Sequence, residues 1–109
     1  MFKELGALMK LMSQGDKIKE EMHSLQQRLG EITAEGDAGG GMVKVRVNGK
    51  MEVVACSISD EARGDREMLE ELVRAAVNQA IQKARIQAAE ETTKMAGNLG
   101  LPSDMLPGG

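Results

Sequence analysis

Three lysines near the start of the chain have a spacing that could serve phosphate binding. Lys3, Lys10 and Lys17 recur every seven residues, so on a helix they form one stripe. A stripe of ammonium groups can neutralise the phosphates of a nucleic acid. A solvated helix face carrying ordinary surface lysines would show the same spacing. The stripe is therefore a candidate phosphate contact, and the simpler interpretation stays open.

The residues that usually carry catalysis are scarce. The sequence has one histidine, His23, and one cysteine, Cys56, and they fall in different predicted elements. A single cysteine excludes an intramolecular disulfide and a zinc site with several thiolates. The acidic pairs are adjacent in sequence, so their members point in different directions on a helix. We therefore expect no enzymatic activity, no metal, no cofactor and no small-molecule substrate.

Length, composition and charge bound the class of protein. The 109 residues suffice for one small domain, which we place at residues 1–97, followed by a flexible tail at 98–109. A core of this size is modest, which favours a homodimer. The net charge of −3 does not by itself indicate nucleic-acid binding. Charged residues interrupt every long apolar run, so we expect a cytoplasmic chain without a membrane span.

A β-hairpin is predicted at the centre of the chain. Met42–Val47 alternates in polarity, Asn48-Gly49 follows, and Met51–Ser59 is a second strand-like segment. Asn-Gly between two such runs predicts a type I′ turn, in which both central residues have positive φ. An earlier strand is predicted at Glu31–Glu35, and a loop at Gly36–Gly41. This loop does not match a phosphate-binding P-loop, because no Gly-Lys-Ser/Thr follows it.

The two faces of the hairpin differ in character. Val43, Val45 and Val47 share one face, which must be buried under a helix or against another subunit. Cationic residues lie on the opposite face and at the turn, where they could contact phosphate or simply be solvated. They are Lys44, Arg46 and Lys50. In the next strand Val54, Cys56 and Ile58 share a face, so Cys56 is predicted to be a small buried apolar residue.

Helical patterns flank the hairpin on both sides. Met1–Leu29 carries an apolar seam that includes Ile18, Met22, Leu25 and Leu29, and Gly30 is its predicted left-handed cap. The seam fits either an ordinary core-facing stripe or a coiled-coil contact.

The second helix is predicted from Met68 to about Met95, with Asp65 as its N-cap. A broad apolar face rich in alanine marks its first half, and Asn78 lies beside that face. Its second half is polar nearly all round and should project from the core. The apolar residues are Leu69, Leu72, Val73, Ala76, Val77, Ala80, Ile81 and Ala84.

Several segments, taken in order, form a recognisable pattern. They are a helix rich in methionine, leucine and glutamine, a glycine-rich turn into a valine strand with Asn-Gly, a strand end, and the opening of the second helix. Their residues are Leu8–Met12, Leu25–Gln27, Gly40–Val45 with Asn48-Gly49, Ile58–Asp60 and Glu67–Ala80. Over nearly the whole chain this pattern resembles the YbaB/EbfC family of nucleoid-associated proteins. Glu71 and Gln79 stand where aspartate is common, and the tail Leu101–Met105 matches only in part.

The resemblance implies a fold and a function. The expected fold is α+β, in the order α-β-β-β-α, with a three-stranded antiparallel sheet flanked by two long helices in a homodimer. The expected function is binding of double-stranded DNA in the nucleoid, with roles in nucleoid organisation and gene expression. A prefoldin-like protein-interaction scaffold without DNA binding is the alternative, because such subunits also place two helices beside a hairpin.

Charge and exposure, not the family pattern, select the candidate residues. The predicted DNA contacts are Lys3, Lys10, Lys17, Lys83, Arg85 and Lys94. The predicted dimer interface comprises Val43, Val45, Val47, Leu69, Leu72, Ala76 and Asn78. Positive charge is spread evenly along the chain, so DNA binding would need local stripes assembled and doubled in a dimer.

Overall fold

The structure is a computed structural model and describes residues 5, 6, 9 and 14–100. Its elements are α1 (Gly15–Glu31), β1 (Thr33–Ala38), β2 (Val43–Asn48), β3 (Val53–Ile58), a 3₁₀ turn (Asp60–Ala62) and α2 (Arg66–Asn98). The strands form one antiparallel sheet in the order β1-β2-β3. The α-β-β-β-α fold predicted from the sequence is therefore confirmed. No helix in the described part of the chain is long and apolar enough to cross a membrane.

The core lies between α2 and the first two strands. Val43, Val45 and Val47 are each at most 1% exposed, and they pack against the buried Ala76 and other alanines of α2. Alanine at these helix positions lets the helix backbone approach the sheet closely. The valine face is therefore covered by a helix of the same chain, which was one of the two alternatives left open by the alternating pattern.

This arrangement corrects the predicted dimer interface. Val43, Val45, Val47 and Ala76 have no surface left for a second chain, because the protomer already buries them. Four members of the predicted set therefore belong to the core. The other three members are less buried. Leu69 and Leu72 are half-buried and pack against that core, and Asn78 is exposed.

The third strand departs from the sequence prediction. Every residue of β3 is exposed, although Cys56 pairs with Val45 and Ile58 pairs with Val43, so they share the face that α2 covers elsewhere. The reason is that α2 covers only part of the sheet: it packs mainly on β1 and β2 and makes little contact with β3. The prediction that Cys56 is buried is therefore wrong, since its thiol lies on the surface.

The hairpin of β2 and β3 is confirmed, but its turn is longer than predicted. β2 ends at Asn48 and β3 begins at Val53, and Met51, not the Asn-Gly pair, has the positive φ of 65°. The side-chain Oδ1 of Asn48 accepts hydrogen bonds from the N–H groups of Lys50 and Glu52, at 2.9 and 3.1 Å. Asn48 thus organises the loop through its side chain.

Glycine is required at position 49 because the backbone of α1 comes close to it, and not because of its φ. Its N–H donates to the carbonyl of Leu29 at 2.8 Å, so the loop is tied to the end of α1. A Cβ at Gly49 would lie 2.5 Å from the same carbonyl oxygen, which is too close for any residue that has a side chain. The Asn-Gly dipeptide therefore joins the hairpin to the first helix.

The boundaries around the first strand also shift. α1 continues past Gly30 to Glu31, and Ile32 is its extended C-cap, so Gly30 is not the predicted left-handed cap. β1 runs to Ala38, which places Gly36 inside the strand and not in a loop. The turn to β2 instead uses Gly39, Gly40 and Gly41, which all have positive φ between 66° and 92°.

Asp65 is the N-cap of α2, as predicted. Its side chain accepts a hydrogen bond from the backbone N–H of Met68 at 3.1 Å, which satisfies one of the free N–H groups of the first turn. Asp65→Ala should lower the free energy of unfolding by about 1 kcal/mol, measured by urea denaturation. Asp65→Asn keeps an acceptor in place and should cost much less. Equal losses in the two variants would contradict a capping role.

Candidate nucleic-acid interface

The second half of α2 and α1 lie side by side beyond the sheet. We call this pair of helices, Gly15–Glu31 with residues 83–98, the arm. Leu25 of α1 is buried in it, as is Ala96 of α2. Arg28 Nε donates to Glu91 Oε2 at 3.0 Å and ties the two helices together. The polar end of the second helix therefore leaves the sheet, and α1 accompanies it.

The lysine stripe of the first helix is only partly described. Lys17 is exposed on α1 and forms no ion pair with the described residues. Lys3 and Lys10 lie outside the described residues, so the structure gives no position for them. Lys19, which lies off the stripe of Lys3, Lys10 and Lys17, is equally exposed on α1. It lies two residues, or about 200°, around the helix from Lys17.

The three candidates on α2 do not form one surface. Lys83 and Lys94 are eleven residues apart, about three turns, and so lie on the same side of the helix. Arg85 follows Lys83 by two residues and points to the opposite side. All three side chains are exposed. The sequence-based choice therefore comprises at least two separate surfaces of α2.

Two of these cations already have partners. Lys83 Nζ donates to the backbone carbonyl of Glu35 at 3.0 Å, at the edge of the sheet. Lys94 Nζ lies 3.4 Å from Glu91 Oε1. Arg85 has no ion pair among the described residues, so its charge is unopposed. The arm thus offers Lys17, Lys19 and Arg85 as exposed cations without a described carboxylate partner.

The open face of the sheet is balanced in charge. Lys44 and Arg46 of β2 stand directly opposite Asp37 and Glu35 of β1. Opposite charges facing each other across strands largely cancel at a distance. Lys50, the third cation of the hairpin, extends along Gly30 at the end of α1, where unpaired helix carbonyls favour a positive charge. The hairpin cations are therefore weaker candidates for phosphate contact than those of the arm.

The first half of α2 carries cations that are held by neighbouring acids. Arg66 bonds Glu70 at 3.1 Å, and Arg74 bonds Glu71. The hydrogen bond from Arg74 to Glu71, and then the charge of that carboxylate, raise the pKa of Arg74 above its ordinary value. Both guanidinium groups are paired with carboxylates of the same helix, so they contribute little free positive field.

Chemistry other than phosphate binding has little support in the described residues. Residues 5, 6, 9 and 14–100 contain no cluster of three or more histidine, cysteine, aspartate or glutamate side chains able to hold a metal ion. A shallow depression on the arm is lined by Ile86, Ala89, Thr93 and two charged neighbours. It has no buried polar group, so it lacks the convergent contacts that orient a small ligand.

Comparison with known proteins agrees with this picture. The model of the YbaB/EbfC DNA-binding family matches residues 5–99. A nucleoid-associated protein from Pelotomaculum thermopropionicum is 42% identical over 99 residues, covering 89% of this chain and 94% of the relative. Another, from Chlorobium phaeobacteroides, is 46% identical over 96 residues, covering 88% of this chain and 86% of the relative.

A solved structure shares the fold. The crystal structure of an uncharacterized protein from Helicobacter pylori superimposes with a TM-score of 0.61 at 27% identity, covering 91% of this chain and 96% of that one. The resemblance drawn from the ordered sequence segments is confirmed by these matches. This chain belongs to the YbaB/EbfC DNA-binding family.

Proposed function

We propose that the protein binds double-stranded DNA as a homodimer, mainly through phosphates and with a broad sequence preference. The bound dimer changes the conformation of the DNA, and it acts in the nucleoid on DNA organisation and gene expression. The family match over residues 5–99 supports DNA as the partner. The family is one of DNA-binding proteins and not a class of enzymes, and we propose no catalytic role.

The observation that carries phosphate binding is the set of exposed cations on the arm. The chain as a whole is acidic, with a net charge of −3, so bulk charge repels DNA. Lys17, Lys19 and Arg85 have no ion pair with a described carboxylate, whereas Arg66 and Arg74 of the first half of α2 do. Local positive charge on the arm can therefore engage phosphates where the average charge cannot.

A homodimer strengthens this proposal. Each copy would contribute one arm, so every cation is doubled. The arm contains residues 83–98 of α2, which are about 24 Å of helix. Two such arms can contact phosphates at separate places on one duplex. Contacts at two places are what a protein needs to bend or constrain DNA.

Titration of two unrelated labelled duplexes, followed by fluorescence anisotropy, tests the proposal. Both duplexes should bind, with dissociation constants that differ little, because phosphate contacts carry no sequence information. Light scattering on the same protein should give twice the chain mass of 11.7 kDa. Binding of neither duplex would contradict the proposed function, and a monomer mass would remove the homodimer.

A further inference from the structure

The apolar face of α1 extends farther than its cover. Leu25 is buried in the arm, with an exposure of 7%. Met22 and Ile18 lie three and seven residues before it, on the same side of the helix. They are nevertheless 48% and 37% exposed. The same face is therefore buried in the inner part of α1 and open toward the outer end, where the helix begins at Gly15.

The exposed part of this face lies where α2 ends. The two helices run antiparallel, since α1 leads into the sheet and α2 leaves it, and Arg28 meets Glu91 at 3.0 Å. From that contact α2 continues by seven residues, about 10 Å, to Asn98. α1 continues by thirteen residues, about 20 Å, to Gly15. The outer part of α1, which includes Ile18, therefore has no part of α2 beside it.

The end of α2 turns the chain toward that face. Gly100 has a φ of 75°, and its N–H donates to the carbonyl of Gly97 at 3.1 Å. A left-handed residue with this hydrogen bond is typical of the Schellman motif, in which the next residue, here Leu101, commonly contacts the third residue before the C-cap. The C-cap is Leu99, so that third residue is Ala96. Ala96 is 1% exposed and lies in the arm, so such a contact continues the chain on the side of α2 that faces α1.

The residues that follow suit an apolar surface. Leu101–Leu106 reads Leu-Pro-Ser-Asp-Met-Leu, with three large apolar side chains and one charge. These residues lie outside the described part of the chain. Six extended residues reach about 20 Å, whereas Met22 and Ile18 are about 6 Å apart along the helix. The segment is therefore long enough to cross both side chains.

We propose that Leu101–Leu106 packs on the outer end of α1, where its three large apolar side chains cover Met22 and Ile18. This segment of the same chain is the occupant because it starts within reach of the exposed face, at the level where that face loses the cover of α2. Burial of apolar surface stabilises the packed arrangement. The packed segment replaces the flexible tail that the composition predicts for residues 98–109.

The packed segment holds the end of the arm that contacts DNA, a role that rests on the proposed function. Lys17 and Lys19 flank Ile18 in sequence, and each points about 100° away from it around the helix. A segment lying on Ile18 therefore leaves both ammonium groups facing solution. A helical end only a few residues long is not stable by itself in water. Packing of the segment orders the backbone that carries these two lysines.

Hydrogen exchange tests the packing without DNA. Leu101→Ser/Leu106→Ser removes two apolar side chains and no charge, and the backbone amides of residues 19–22 should then exchange about tenfold faster than in the wild type. Ile86→Ser is the control, because Ile86 is 57% exposed on α2 and lies about 18 Å from the end of that helix. It should leave exchange in α1 unchanged. Wild-type exchange at residues 19–22 in the double variant overturns the proposal.

Cross-linking tests where the segment lies. In Cys56→Ser/Ile18→Cys/Ser103→Cys the natural exposed thiol is removed and both new thiols lie in the proposed contact. A short bismaleimide should join them within one chain, which mass spectrometry of linked peptides detects. In the matched variant Cys56→Ser/Glu20→Cys/Ser103→Cys the first thiol lies about 200° around α1 from Ile18, so linking should be much slower. Equal rates, or links mainly between two chains, overturn the proposal.

DNA affinity separates packing from charge. Leu101→Ser/Leu106→Ser keeps every charge and should bind a duplex several-fold more weakly than the wild type, because the lysines of α1 are less ordered. Asp104→Asn changes the net charge from −3 to −2 and keeps the apolar side chains, so it should bind as tightly or more tightly. Wild-type affinity in the double variant overturns the role of the segment in holding the lysines. A wild-type protein that binds no DNA overturns the proposed function, whereas exchange and cross-linking still decide the packing.

Discussion

Gly36→Ala should unfold the domain or lower its free energy of unfolding by several kcal/mol. Gly36 lies in β1 directly beneath α2, and its Cβ would overlap the carbonyl oxygen of Ala76 and stand 2.6 Å from the N of Ala80. Both are backbone atoms, so no side-chain rotation can relieve the clash. Overpacking in a core costs about 1–3 kcal/mol, and more when the backbone must move. Urea denaturation followed by circular dichroism measures the loss.

Gly64→Ala is the matched control. A Cβ there meets nothing within 4 Å, and the residue lies in the connection before α2. Its free energy of unfolding should stay within about 0.5 kcal/mol of the wild type. Similar losses in the two variants would mean that the clash beneath α2 is not what excludes a side chain at Gly36.

Removing two cations from the arm should nearly abolish DNA binding at physiological salt. Lys17→Ala/Arg85→Ala takes away two exposed charges per chain, or four in the dimer. For each phosphate that is no longer neutralised, the association constant should fall about tenfold near 0.1 M salt, because fewer counterions are released on binding. The affinity should fall by a similar factor on unrelated duplexes, since phosphate binding does not read bases. Fluorescence anisotropy measures both effects.

Arg66→Ala/Arg74→Ala controls for overall charge. It also removes two of the 14 lysines and arginines of the chain, and so changes the net charge from −3 to −5 as the arm variant does. The difference is that Arg66 and Arg74 are paired with Glu70 and Glu71 in the first half of α2. The control should bind DNA far better than the arm variant. Equal losses would show that bulk charge, and not the arm, sets the affinity.

The order of elements could be predicted because local signals were strong. Gly39–Gly41 allows a turn that needs positive φ, and the alternation from Val43 to Val47 has the period of a strand. The alanines of α2 repeat on one helix face, and that face covers the valines. Each of these signals depends on residues that are close in sequence. Such a signal can predict a helix, strand or turn and the face of it that is buried.

Coverage of the sheet could not be predicted in the same way. Cys56 is paired with Val45 and lies on the same face of the sheet, yet Val45 is buried and Cys56 is exposed. The difference depends on how far α2 extends across the strands, a property of packing that no local pattern encodes. For the same reason the sequence could not decide whether the valines face a helix or a second subunit.

For the candidate site, the sequence allowed a prediction of the kind of residue involved but not of its arrangement. Exposed cations on the helices were anticipated, and Lys17 and Arg85 fit that expectation. Lys83 shows the limit of reasoning from charge, because its ammonium group is bound to the backbone of Glu35 at a strand edge. Nothing in the sequence shows that this edge lies beside Lys83.

The salt dependence of DNA binding tests the central proposal most directly. Anisotropy titrations of the wild-type protein with one duplex, repeated between about 50 and 200 mM salt, give the logarithm of the association constant against the logarithm of salt concentration. Phosphate contacts predict a straight line with a steep negative slope, and the slope divided by about 0.9 gives the number of phosphates neutralised. An affinity independent of salt, or no binding at the lowest salt, would contradict phosphate binding by the arms.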